Sequence, residues 1–149
     1  MNETNRKTLS LLGVTITFLS SAEETGGVWS LIEYVAPPEF KGPAPHWHKR
    51  STEAFYVVEG HLSLQVGERG VEAKPGNFVL VPPGTVHVWH NPEATPCKFL
   101  VFLSPSGLEG YFEAMATLMR EETTWPPADM GKVIALAEKF DTFSPPAPQ

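Results

Sequence analysis

The 149-residue sequence contains a single cysteine, Cys97, so it can form no disulfide within the chain and offers no Cys-rich zinc site. Basic residues are also few: eleven Lys and Arg face seventeen Asp and Glu, for a net charge of −6. Such an acidic balance argues against nucleic acid or an anionic membrane as the main partner. Long apolar runs are missing as well, since none approaches the ~18 residues needed to span a bilayer. Disorder is not the default either, because 42% of residues are hydrophobic and 19% charged, enough for a sizeable core. The length suits one domain.

Proline and glycine, by contrast, are plentiful, at fifteen and twelve residues. Proline interrupts helices and central strands, so the expectation is a mostly β chain of short elements and many turns. Arg6 and Lys7 precede an apolar stretch from Leu9 to Leu19, and small residues follow, Ser20-Ser21-Ala22, the outline of a signal peptide. Within it, however, Val14, Ile16 and Phe18 alternate with Thr15 and Thr17, which suits a half-buried strand. The chain is therefore read as unprocessed and cytoplasmic.

Further short β-type runs follow at Val28–Ala36, Phe55–Val58, Leu62–Val66, Phe78–Val81, His87–His90 and Phe99–Leu103. Gly67-Glu68-Arg69-Gly70, Pro75-Gly76-Asn77 and Pro82-Pro83-Gly84 separate them as turns. Closely spaced strands of this kind indicate a sandwich or barrel. After Pro105 the period changes. Ser106 and Glu109 have capping-box spacing, and Leu108, Tyr111, Phe112, Met115, Leu118 and Met119 recur at helical intervals. Asp129 can cap a second helix that carries Val133, Leu136, Ala137 and Phe140 on one face. The layout is a single domain over 1–149: a β-barrel core at about 10–104, a helical extension at about 106–141, and a flexible tail at 142–149.

The chemistry lies in the histidines. His46 and His48 stand two apart, so on a strand both imidazoles project from one face. Glu53 follows after four residues, and His87 comes just after the Pro-Pro-Gly turn. Three imidazoles and a carboxylate suit Mn, Fe, Co, Ni, Cu or Zn, with positions left open on an octahedral ion. His90 should face away from His87, and His61 and His90 are read as solvated or hydrogen-bonded. Asn91 is expected to fasten a turn.

These residues resemble the two motifs of the cupin superfamily. His46, His48, Glu53 and Gly60 fit the first; Gly76, Pro82, Gly84, His87 and Asn91 fit every fixed position of the second. One departure is Gly42, with three residues before His46 where the family usually has five. The resemblance implies a double-stranded β-helix (jelly-roll) barrel, here with two C-terminal helices. It also implies one divalent transition metal per chain, held by His46, His48, Glu53 and His87.

Cupin chemistry is diverse, so the pocket has to decide the function. By alternation Phe55 and Val57 share the Glu53 face, Trp89 shares the His87 face, and Leu64 belongs to the apolar row Leu62, Leu64, Val66. Phe55, Val57, Leu64 and Trp89 are thus the expected substrate pocket, apolar and aromatic, with Glu53 as ligand or catalytic base. The layout is similar to small quercetin-dioxygenase-like cupins. The expected function is a metal-dependent dioxygenase acting on a small phenolic or enolic compound. The alternatives are a non-catalytic small-molecule binder or sensor and a metal-dependent isomerase or cyclase. A homodimer is expected, paired through edge strands at Val14–Leu19 or Val28–Ala36.

Overall fold

The computed structural model describes residues 5–147. Eleven strands and three helices follow in the order β1 (Thr8–Leu11), β2 (Val14–Ser20), α1 (Ala22–Thr25), β3 (Ser30–Ala36), β4 (Trp47–His48), β5 (Thr52–Glu59), β6 (Leu62–Val66), β7 (Arg69–Ala73), β8 (Phe78–Val81), β9 (His87–His90), β10 (Cys97–Ser104), α2 (Glu109–Glu121), α3 (Met130–Lys139) and β11 (Thr142–Phe143). A six-stranded sheet, β1-β2-β3-β10-β5-β8, accompanies a three-stranded sheet, β7-β6-β9, and the short pair β11-β4. Every strand pair is antiparallel. This is the expected cupin-type barrel with two C-terminal helices.

Alternation sets the core. On β2, Val14, Ile16 and Phe18 are buried while their threonine neighbours are not, and the stretch that outlines a signal peptide folds as β1, a turn and β2. Ile32 and Tyr34 on β3, Phe55 and Val57 on β5, and Phe99, Val101 and Leu103 on β10 join them in one cluster with Leu62, Leu64 and Val66 of β6. The β6–β7 hairpin closes through Gly67-Glu68, since Val66 pairs with Arg69 and Gly67 has the positive φ such a tight turn requires. Cys97 is wholly buried, and burial pushes its thiol up to about 11.

Three expectations need correction. Neither β2 nor β3 is an edge: β2 lies between β1 and β3, and β3 between β2 and β10, which leaves β1 and β8 at the borders. The first helix of the extension is not opened by a Ser106–Glu109 box. Leu108 is its N-cap, and the Glu109 carboxylate instead accepts from the amides of Ala22 (2.7 Å) and Gly107 (2.8 Å). The first-turn amide of α1 has no partner within its own helix, and Glu109 supplies one. Asp129 does cap α3, accepting from the Gly131 amide at 2.9 Å. Finally, the segment after 141 is not all loose tail. Thr142 and Phe143 pair with His48 and Trp47, and the Trp47 indole donates to the Ser144 carbonyl at 3.2 Å. Residues 148–149 of the expected tail lie outside the described residues.

Candidate metal centre

The two halves of the site are joined by backbone. His46 and His87 form an antiparallel bridge, His46 N–H to His87 O at 3.1 Å and His87 N–H to His46 O at 2.8 Å. Gly42 permits the chain to run this close to β9. Its φ is +81°, and a Cβ there would lie 1.6 Å from the Trp89 carbonyl oxygen. The displaced glycine of the first motif thus serves a close approach between backbones.

From this frame the side chains of His46, His48, Glu53 and His87 converge, with ligand atoms all within 4.8 Å of one another. Glu53 Oε2 lies 2.7 Å from His87 Nε2 and 3.2 Å from His48 Nε2. His48, Glu53 and His87 are buried, and His46 is half-buried at the cavity. The other ring nitrogen of each histidine meets a backbone carbonyl: His46 Nδ1 and Ala44 O at 2.8 Å, His48 Nδ1 and Asp141 O at 3.0 Å, His87 Nδ1 and Thr85 O at 3.0 Å. A carbonyl can only accept, so each Nδ1 carries a hydrogen and each neutral ring directs its Nε2 lone pair inward. Lone pairs this close to a carboxylate repel unless a proton or a cation lies among them. The donor set therefore fits a divalent transition metal, with neutral nitrogen for affinity and one carboxylate to offset charge.

Titration follows the same logic. Burial, then the neighbouring His87, lowers His46 to about 4. For His48, burial opposes the charge, but the Glu53 carboxylate outweighs it and raises the pKa. Burial also opposes the Glu53 charge, yet hydrogen bonds from His48 and His87, made where a proton takes the place of a cation between them, hold the carboxyl well below its usual range.

A cavity of about 260 Å³ opens on the cluster. Barrel residues Tyr34 and Trp89 form one wall; Leu108, Tyr111 and Phe112 at α2 and Met130, Val133, Ile134 and Ala137 of α3 form the other. No Lys or Arg lines it among the described residues. Of the four expected pocket residues, Trp89 is there. Phe55, Val57 and Leu64 are not; they are buried deeper and fill the barrel. All three do point inward, as alternation requires, but the inside of a small barrel is mostly packing.

Tyr34 and Tyr111 line the site without having been expected there. The Tyr34 ring is sandwiched by aromatics, 5.2 Å from Phe99 and edge-on to Trp89 and Phe112. Neither phenol has a hydrogen-bond partner among the described residues, and burial raises the pKa of both, with the Glu53 charge adding to the effect at Tyr34. Alternation with Ile32 was the available signal for Tyr34; no sequence spacing links Tyr111 to the ligands.

His90 and His61 lie elsewhere. His90 pairs with Ser63 on β6, on the face away from His87. The His61 ring lies between Glu93, 2.9 Å from Nδ1, and Glu72 at Nε2, and Glu93 first, then Glu72, raise its pKa. Asn91 fastens a turn as expected, donating to Pro37 O (2.9 Å) and Thr95 O (2.8 Å) and accepting from the Glu93 amide (3.1 Å).

Residues 32–103 match the family described as Cupin domain. Over 70 residues, 47% of this chain, the sequence is 30% identical to quercetin 2,3-dioxygenase of Bacillus subtilis (strain 168), and that stretch spans only 20% of the relative's length. KdgF from a Halomonas species has a similar structure, with a TM-score of 0.63 at 16% identity, covering 74% of this chain and 96% of that one. The polyketide cyclase RemF from Streptomyces resistomycificus gives a TM-score of 0.60 at 23% identity, covering 71% and 78%. At these identities the two structures establish a shared fold.

Proposed function

We propose, for a chain that carries a metal-binding cupin domain over residues 32–103, that it is a dioxygenase for a small, uncharged phenolic or enolic compound. The observation that carries this reading is an apolar, aromatic cavity, lined by no Lys or Arg among the described residues, that reaches His46, His48 and Glu53 of the four-residue cluster. A ligand bearing phosphate or several carboxylates would find no Lys or Arg in the lining to meet its charge. At about 260 Å³ the space is just below the ~300–1,000 Å³ of most ligand pockets and suits one or two rings. The partial similarity to a quercetin 2,3-dioxygenase supports the same direction.

Bound at His46, His48, Glu53 and His87, a divalent transition metal supplies Lewis acidity and electron exchange with oxygen. The chain's own residues do the rest. Trp89 and Phe112 flank a flat ring, and the α2 and α3 side chains exclude water. Only Oε2 of Glu53 is hydrogen-bonded among the described residues, which leaves Oε1 to take the proton of a ligand hydroxyl. The free phenols of Tyr34 and Tyr111 can donate to a second ligand oxygen.

The test is oxygen uptake by protein loaded in turn with Fe, Mn, Co, Ni, Cu and Zn, against catechols, flavonols and enolic diketones. Turnover without oxygen selects an isomerase or cyclase; saturable binding without turnover selects a binder or sensor. Metal analysis of variants checks the centre itself. His46→Ala, His48→Ala and His87→Ala are expected to lose most metal, Glu53→Gln less, and His90→Ala none.

Two further features belong to the proposal. Among the described residues no helix is long and apolar enough to cross a membrane; the cytoplasmic location expected from the sequence is kept as part of the proposal. We also assign a homodimer, now through β8: this edge strand exposes Phe78 (64%) and Leu80 beside Tyr56 of β5, a combination that invites a second copy. Light scattering that gives a monomer at micromolar concentration would exclude it.

A further inference from the structure

We propose that Asp141 is a positioning residue for the metal ligand His48. The inference rests on the metal-centre reading above. Asp141 grips the ligand loop twice. Its carbonyl accepts from His48 Nδ1 at 3.0 Å, which fixes the tautomer and the plane of the ring. Its carboxylate accepts from three consecutive amides just after the ligand, those of Lys49 (3.1 Å), Arg50 (3.0 Å) and Ser51 (3.0 Å), and from the Ser51 hydroxyl (3.2 Å). The next residue, Thr142, pairs with His48 across β11–β4 and sets its hydroxyl 3.4 Å from the same Nδ1.

The backbone is shaped for this double role. Asp141 has φ +58°, the left-handed region that Asp tolerates better than most side chains. That conformation turns the chain from α3 into β11. The short segment between His48 and Glu53, which spaces two ligands, is therefore held at residues 49–51 by a residue of the helical extension, while barrel pairing holds it at Thr52. The same extension walls the cavity through Met130, Val133 and Ile134. Its attachment and the orientation of His48 are one structural unit.

A purely structural Asp141 and a positioning Asp141 differ in what a variant loses. If the residue only stabilises the fold, folded variants bind metal as wild type does. If it positions His48, folded variants bind more weakly and with an altered coordination spectrum. Co²⁺ is the probe, titrated into metal-free protein and followed by its visible absorption. Asp141→Gly keeps the left-handed backbone and the carbonyl but removes the carboxylate. It is expected to weaken Co²⁺ binding by up to about 10-fold, the lower end of the range for loss of an outer-sphere partner because the carbonyl on His48 is kept, and to shift the absorption envelope. Asp141→Asn, which retains one acceptor oxygen, is expected to fall between the two and serves as the deciding variant if the glycine protein does not fold. Glu122→Gln breaks the ion pair with Lys132 elsewhere in the extension and is expected to leave the affinity unchanged. Wild-type affinity and spectrum in both Asp141 variants, with His87→Ala still abolishing binding, would overturn this inference alone. A folded wild-type protein that takes up no Co²⁺ would overturn the metal-centre reading with it.

Discussion

Replacing Asn91 by Ala is expected to destabilise the protein by about 3 kcal/mol. Asn91 is 1% exposed and closes the segment that leaves β9, the strand bearing His87. Its amide makes three hydrogen bonds, two donated to Pro37 O and Thr95 O and one accepted from the Glu93 amide, at 2.8–3.1 Å. The magnitude depends on what replaces them. Thr95 and Glu93 are exposed and Pro37 is half-buried, so water can reach the abandoned groups. The net value of about 1 kcal/mol per bond therefore applies, and not the larger cost of a sealed, unsatisfied group. For a chain of this size about 1 kcal/mol moves the melting temperature by roughly 2–4 °C, so the expected drop is about 6–12 °C. Urea unfolding should show a lower midpoint at unchanged slope. Asn91→Asp keeps the acceptor and loses both donated bonds, so it should behave nearly as Ala does. If either variant melts within about 2 °C of wild type, the smallest shift expected for a single lost bond, the assignment of this side chain as the fastener of the segment is wrong.

Gly42→Ala should be worse than a loop substitution has any reason to be: the added methyl meets the Trp89 carbonyl oxygen at 1.6 Å, and a left-handed backbone adds about 1–2 kcal/mol. Loss of soluble expression or of metal uptake is expected, and wild-type metal content in a normally folded variant would contradict the close approach. Met115→Asp places a charge at a buried site on α2 and should cost at least the about 2–5 kcal/mol of a Met→Ala change, read from the urea midpoint. The His61 pKa is raised by Glu93 and Glu72, so its pairing stabilises the fold below the ordinary histidine pKa of 6.5, and that contribution fades as pH rises through the raised value. Glu93→Gln should bring the His61 titration, followed by NMR, back toward the ordinary value; an unchanged titration would show that the pairing is not formed in solution.

The sequence alone determined whatever depends on local spacing. Alternation in Val14–Phe18 and Phe99–Leu103 marks inward and outward faces, because successive side chains of a strand must point to opposite sides. The same rule places His46 beside His48 and turns His90 away from His87. The convergence of His46, His48, Glu53 and His87 was legible because their types and spacings match the two cupin motifs. The capping of α3 by Asp129 was legible because it is settled within three residues. Tertiary structure decided everything that joins distant segments. Whether an inward residue lines a cavity or fills the barrel depends on the opposite wall, so Phe55, Val57 and Leu64 became core while Tyr34 and Tyr111 became lining. Strand order made β2 and β3 interior strands, since a strand's own sequence does not name its neighbours. Glu109 met the amides of Gly107 and Ala22 and not that of Ser106, because a free helix-end donor 87 residues away was brought within reach. Asp141 is the clearest case. Its hold on His48 spans 93 residues and acts partly through a backbone carbonyl, which every residue possesses and no sequence pattern can distinguish.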